Sequence, residues 1–227
     1  MEIATVLIAA ERTLFRQGLV ALIASWPGFA PVGEAADAYE ARRISDREQP
    51  DLVVLDSELQ RAEGACDLVA CLRAGNPSTA IVVIGEADLA AGSEAEAESA
   101  LRAERARVLS QGAIAYLPAR ADSRELLRLL TAVAATRACK EGDGAGSVDG
   151  HAKPTPGPHA SVRRRITERE RSIIAMIAQG LCNKEVAHRL GIGTQTVKNH
   201  VSHLLEKLAL ADRTQLAVYA VEHHFEF

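Results

Sequence analysis

Five short apolar runs divide the first 136 residues, and each is followed by a segment whose apolar residues recur at helical spacing. The runs are Thr5–Ala9, Phe29–Glu34, Leu52–Asp56, Ala80–Gly85 and Ala113–Leu117. The intervening segments are Leu14–Ser25, Ala38–Glu48, Gly64–Ala74, a long Ala/Glu/Arg stretch over 94–111, and Ser123–Thr136. Near-continuous apolar strands alternating with amphipathic helices specify a parallel sheet covered on both faces, because each parallel neighbour needs a crossover that returns the chain. The expected fold is a doubly wound α/β layer with five parallel strands. Chemistry in such a sheet collects beyond the carboxyl ends of the strands. Asp56, which ends the third run, is the acid so placed.

The alternation then stops. Between Glu141 and Ala160 stand Gly142, Gly144, Gly146, Gly150, Pro154, Pro156, Gly157 and Pro158, with hardly a large apolar residue, the composition of a flexible linker. The chain of 227 residues is therefore expected to divide into a domain over 1–136, a linker over 137–162 and a domain over 163–227. Charge divides along the same line. Residues 1–136 carry a formal charge of −7, 137–160 are balanced, and 161–227 carry +3. The basic end is the one suited to nucleic acid.

Other classes are set aside by what is lacking. No apolar run is long enough to cross a bilayer, and the start lacks the basic-then-apolar pattern of a signal peptide, so a cytoplasmic protein with no membrane partner is expected. Cys66, Cys71, Cys139 and Cys182 show no zinc or redox spacing and read as ordinary reduced thiols. No nucleophile–base pair, phosphate loop or metal cluster stands out, so no enzyme is expected and no cofactor is implied.

The basic end opens with Arg163-Arg164-Arg165 and the capping box Thr167-Glu168-Arg169-Glu170, followed by Ile173, Ile174 and Ile177 and a stop at Gly180. Two short helices around Gly191 and Gly193 come next. The second has a back of Val197, Val201, Leu204, Leu205 and Leu208 at helical spacing, which pins it to a core. Its front holds Gln195, Lys198, Asn199 and Ser202, side chains able to reach phosphates or base edges. Lys184 and Thr194 open the two helices, where backbone N–H groups favour a phosphate. Thr196, His203 and Lys207 complete the candidate DNA-facing set. Asp212 can cap a last helix carrying Leu216, Ala217, Ala220 and Val221, making an all-α unit of four helices.

Thr-Glu-Arg-Glu at 167–170, Ala-Gln-Gly-Leu-Cys-Asn-Lys-Glu-Val-Ala at 178–187, Thr-Val-Lys-Asn-His-Val at 196–201 and Lys-Leu-x-x-x-x-Arg-Thr-Gln from 207 resemble the LuxR-type helix-turn-helix domain over about 163–225. The resemblance implies double-stranded DNA as partner, read as a two-part operator by a homodimer whose contact is the last helix, around Val218 and Val221. It places Lys198, Asn199 and Ser202 at groove-facing positions, and admits RNA polymerase as a further partner.

A second resemblance covers the first domain. Val6-Leu7-Ile8-Ala9, Leu14-Phe15-Arg16-Gln17-Gly18-Leu19, Pro50-Asp51-Leu52-Val53-Val54-Leu55-Asp56 and Gly112-Ala113-Ile114-Ala115-Tyr116-Leu117 are similar to a response-regulator receiver domain, a flavodoxin-like fold. Together the two halves resemble NarL/FixJ-type response regulators. The resemblance implies that Asp56 is the phospho-acceptor and a histidine kinase its donor, with Mg2+, a hydroxyl and a lysine handling the phosphoryl charge.

This chain departs from that set. The acidic pair is Ala10-Glu11, the hydroxyl position is Gly85, and the lysine position is Ala119 beside Arg120. Leu59-Gln60-Arg61 replaces the usual Met-Pro-Gly turn, and of the supporting pocket only the aromatic Tyr116 stays in register. Glu11 with Asp56 would hold Mg2+ only weakly, since the ion demands fixed octahedral oxygens. The expectation is a degenerate receiver controlled without conventional phosphorylation. Two alternatives stay open: slow phospho-acceptance on Asp56 with Arg120 in place of the lysine, and an adaptor that binds protein or ligand instead of DNA. The segment from Ala87 to Gln111 is longer than the family pattern by about ten residues; it reads as a lengthened solvated helix or as a partner surface.

Overall fold

A computed structural model describes residues 3–61, 67–85, 94–142 and 166–225. The chain forms two compact units, Met1–Leu130 and Thr131–Phe227. Among the described residues no helix is long and apolar enough to cross a membrane.

The first unit is a five-stranded sheet built from β1 (Ala4–Ala9), β2 (Phe29–Ala35), β3 (Leu52–Asp56), β4 (Ala80–Gly85) and β5 (Ala115–Pro118). The order is β2-β1-β3-β4-β5, and every pairing is parallel. Every residue of β3 and β4 is buried, as expected for strands covered on both faces. The helices are α1 (Thr13–Ala24), α2 (Ala38–Glu48), α3 (Ser57–Arg61), α4 (Leu68–Gly75), α5 (Glu94–Ser110) and α6 (Ser123–Gly142), the last of which runs past Leu130 into the second unit. One cluster under the sheet joins Leu7, Ala35, Ile44, Val53, Leu55, Leu68, Ile81, Val83, Val108 and Tyr116. Strand order reverses between β1 and β3, so the crevice of the fold opens at Ala10 and Asp56.

Several boundaries differ from the sequence reading, each for a local reason. The fifth strand begins at Ala115 rather than Ala113, because Gly112 turns with φ +110° and the Ala113 N–H closes α5 by donating to Val108 O. The third helical segment begins at Leu68 rather than Gly64, where the Asp67 carboxylate accepts from Ala70 N at 3.3 Å and caps it. A short helix, α3, not marked by apolar periodicity, follows Asp56 directly. The last helix of this run extends past residue 136 to Gly142. Residues 143–165, with most of the expected linker and Arg163-Arg164-Arg165, lie outside the described residues, as does the start of the long segment at 86–93. Cys71 is disulfide-bonded, against the expectation of reduced thiols throughout, since pairing depends on Cα separation in the fold rather than on spacing along the chain; Cys182 is free.

At the β1–β2 edge the register shifts between Val6 and Leu7, whose partners are Pro31 and Gly33. Pro31 has no N–H to give the ladder, which confines it to an edge strand such as β2.

The second unit contains α7 (Glu168–Ala178), α8 (Asn183–Leu190), α9 (Thr194–Leu208) and α10 (Arg213–Glu222). The Thr167 capping box is formed, and Asp212 caps α10 by accepting from Gln215 N at 2.9 Å. Gly191 closes α8 at φ 63°, the left-handed turn that glycine adopts without strain. Ile173, Ile174, Ile177, Val186, Val197, Val201, Leu204 and Leu216 form its core, and the outer apolar positions of α9, Leu205 and Leu208, pack half-buried against it.

Candidate nucleic-acid interface and acidic pocket

The burial of Val197, Val201 and Leu204 decides which side of α9 faces water. Thr194, Gln195, Thr196, Lys198, Asn199, Ser202 and His203 are all exposed, as is Lys184 in the first turn of α8. No acid lies in the first turn of α9, and its N-cap is Gly193, whose lack of a side chain leaves the leading N–H groups uncapped. The Gln195 amide donates to Asn199 Oδ1 at 3.1 Å, so two polar side chains of the front are already oriented one turn apart.

Lys207 does not belong to that front. Its ammonium lies 2.9 and 2.7 Å from the two carboxylate oxygens of Glu170, half-buried, and ties the end of α9 to the start of α7. The ammonium counted among the DNA-facing candidates is thus engaged by a carboxylate of the same unit. Glu170 also accepts from Thr167 N at 2.8 Å, so one carboxylate serves cap and clamp together. Although burial alone would raise Glu170, the Lys207 ammonium and the Thr167 N–H and hydroxyl outweigh it and hold its carboxyl below the ordinary glutamate range. Arg169 donates to Leu190 O at 3.1 Å at the end of α8. Arg213 donates to Asn183 Oδ1 at 2.8 Å and to Leu181 O, fastening α10 to the approach to α8.

In the last helix Val218 is 4% exposed, and Val221 is half-buried against the helical core.

In the first unit Asp56 is 3% exposed at the end of β3. Its Oδ2 lies 3.5 Å from Arg12 Nη2, and its Oδ1 accepts from Glu58 N at 3.2 Å. Arg12 Nε meets Glu58 at 3.3 Å, and the guanidinium lies over the Phe15 ring at 4.9 Å. Burial pushes the Asp56 carboxyl above its ordinary value, against the opposing pull of the Glu58 N–H and the Arg12 charge. The other expected pocket residues lie around this pair. Ala10 is buried and has no side-chain oxygen, whereas Glu11 is exposed. Ala119 is half-buried, and Arg120 is exposed; the guanidinium beside Asp56 is that of Arg12, not Arg120. Gly85 is buried at the end of β4, and Tyr116 is buried within β5, paired with Val83.

This donor set does not suit Mg2+. The ion requires several hard oxygens in octahedral array, whereas the buried carboxylate here faces a cation, and no group of three His, Cys, Asp or Glu side chains suited to a metal occurs among the described residues.

Arg12, Ser57 and Glu58 were missed in the sequence. A signal was present, since Arg12 lies just beyond β1 at the switch point and the other two follow Asp56.

Comparison with known proteins gives two family matches. Residues 164–220 match the model "Bacterial regulatory proteins, luxR family", and residues 6–131 match the "Response regulator receiver domain". The chain is 32% identical over 225 residues to the uncharacterized transcriptional regulatory protein YhcZ of Bacillus subtilis, covering 96% of each. It is 31% identical over 228 residues to the nitrate/nitrite response regulator protein NarL of Escherichia coli K12, covering 96% of this chain and 95% of NarL. Among solved structures, a LuxR-family two-component response regulator from Aurantimonas sp. SI85-9A1 is 26% identical with a TM-score of 0.48, covering 58% of this chain and 85% of that one.

Two predictions follow from these ion pairs. Because the Glu170 pKa is depressed by folding, its contribution to stability is present above the ordinary glutamate pKa and lost as pH falls through the lowered value. Glu170→Gln should therefore destabilise the chain near neutral pH and flatten the loss of stability in the acid range, read by urea unfolding against pH. Arg12→Ala removes an opposing pull on Asp56, so the Asp56 carboxyl should titrate at higher pH than in the unmodified chain, read from its carbonyl resonance by NMR.

Proposed function

The chain belongs to the response regulators that join a receiver to a luxR-family DNA-binding domain, and from that membership we propose a sequence-specific transcription regulator whose receiver is controlled without conventional, metal-dependent phosphorylation of Asp56. DNA reading rests on α9. Its apolar back is consumed by the core, and its front carries Lys198, Asn199 and Ser202 exposed together, an arrangement a major groove admits. Lys198 supplies phosphate neutralisation, and Asn199 offers an amide able to distinguish base edges. The uncapped start of α9 and Lys184 at the start of α8 can add phosphate contacts. Two copies on a two-part operator fit this docking, with the last helix, around Val218 and Val221, as the contact between them.

The receiver reading is carried by one observation, the Arg12 guanidinium on Asp56. Phosphoryl transfer to a carboxylate needs cationic groups aimed at the incoming phosphoryl oxygens. Here the nearest cation already pairs with the acceptor and with Glu58. Ala10 and Gly85 supply no oxygen, and Ala119 supplies no ammonium.

Two measurements test these readings. Intact mass after incubation with Mg2+ and acetyl phosphate should show the unmodified mass; a substantial phosphorylated fraction that disappears in Asp56→Ala would establish the slow-acceptor alternative instead. On DNA selected by the chain from a random duplex pool, Lys198→Ala should weaken binding and reduce the salt slope by about 1. Asn199→Ala should relax preference at one base pair by about 1–3 kcal/mol. DNA binding unaltered by either substitution would overturn the docking, and no binding at all would favour the adaptor.

A further inference from the structure

Where β4 ends at Gly85, the space normally taken by a side chain is already filled. A Cβ at position 85 would lie 2.6 Å from Ser57 Cβ and 2.7 Å from the Tyr116 hydroxyl, with the Ser57 hydroxyl closer still. Real side chains do not approach so closely, so a residue larger than glycine has to displace one of the two. Ser57 is 1% exposed and Tyr116 is 4% exposed, so neither can swing into water without opening the sheet end. The Ser57 hydroxyl is buried and makes no hydrogen bond among the described residues, which marks it as a filler of this space rather than a cap of α3.

The strand register explains why these three positions meet. Val83 pairs with Tyr116 and Gly85 with Pro118, so Val83, Gly85 and Tyr116 share one face of the sheet. Asp56 pairs with Ile84, which brings the next residue, Ser57, to the end of β4. Ser57 thus leaves the chain directly after the buried acid and reaches the notch from the neighbouring strand. Its position is short-tethered: the Cβ itself intrudes, so rotation of the hydroxyl alone cannot make room.

We propose that Ser57 is a positioning residue that, lodged in the notch over Gly85, holds the Tyr116 ring inside the sheet and so links the Asp56 strand end to β5. The link works by volume and needs no ligand on Asp56. It makes residues 57 and 85 a matched pair, in which the side chain present at one position has to be absent at the other. A rearrangement at Asp56 that moves Ser57 then moves Tyr116, and through it the end of the sheet on which α5 packs through Val108 and the half-buried Leu101.

The full chain labelled with fluorotyrosine tests this, the Tyr116 signal being assigned by its loss in Tyr116→Phe. Gly85→Ser should shift that signal and expose it to broadening by a soluble paramagnetic agent. Exchanging the two residues, Ser57→Gly with Gly85→Ser, should return both shift and protection toward those of the unmodified chain. A Tyr116 signal unchanged in Gly85→Ser, or an exchanged chain no closer to the original than the single variant, would overturn the latch. If Gly85→Ser does not fold, folding of the exchanged chain supports the pairing and its failure to fold overturns it. A second readout rests on the DNA-binding reading: affinity for the selected duplex should fall or rise in Gly85→Ser and be restored by the exchange. Unchanged affinity with a displaced Tyr116 would remove the latch from signalling, whereas an unmodified chain that selects no duplex counts against the DNA reading alone.

Discussion

A parallel sheet buried on both faces can place polar chemistry only where its strands stop. In this chain every residue of β3 and β4 is buried, so Asp56 meets its first polar neighbours at the strand end. Those neighbours are Arg12, which follows β1 across the switch point, and Glu58, which follows Asp56 itself. The charge of one buried carboxylate is therefore compensated by residues whose placement the topology dictates. Gly85 stands at the next strand end, and Tyr116 lies on the same face one strand further on.

The helical unit solves a different problem, holding one exposed face in a fixed direction on a small core. Its answer combines apolar burial of Val197, Val201 and Leu204 with polar fastening at both ends of the helix pair. Glu170 is central to that fastening because it caps α7 and holds Lys207 at the far end of α9. A cap alone is worth about 1 kcal/mol and a surface ion pair less. Joined through one carboxylate, the two restrain the same helix against the same neighbour, and their effects are coupled.

Much of this was legible along the chain. Third and fourth strands, the Thr167 capping box and the apolar stripe of α9 follow from period and composition, because burial on both faces or along one stripe leaves a direct mark on residue choice. What was not legible depends on geometry across elements. Lys207 looks like any exposed lysine until Glu170 is brought to it across 37 positions. Arg12 gives no sign of its partner along the chain until β1 and β3 lie side by side. Strand and helix limits shifted where a local hydrogen bond, such as Asp67 to Ala70 N, overrode periodicity.

The shift in register beside Pro31 bears on how copies of this chain can meet. An open parallel sheet exposes two rows of backbone groups along its outer strands, a standing template for adding a strand from another molecule. Here one outer strand, β2, carries a proline and an irregular ladder, and the other, β5, is four residues long and ends in Pro118. Both borders are blunted against strand addition. Association of this sheet with its own kind is thereby steered away from open-ended stacking and toward closed contacts between helical surfaces.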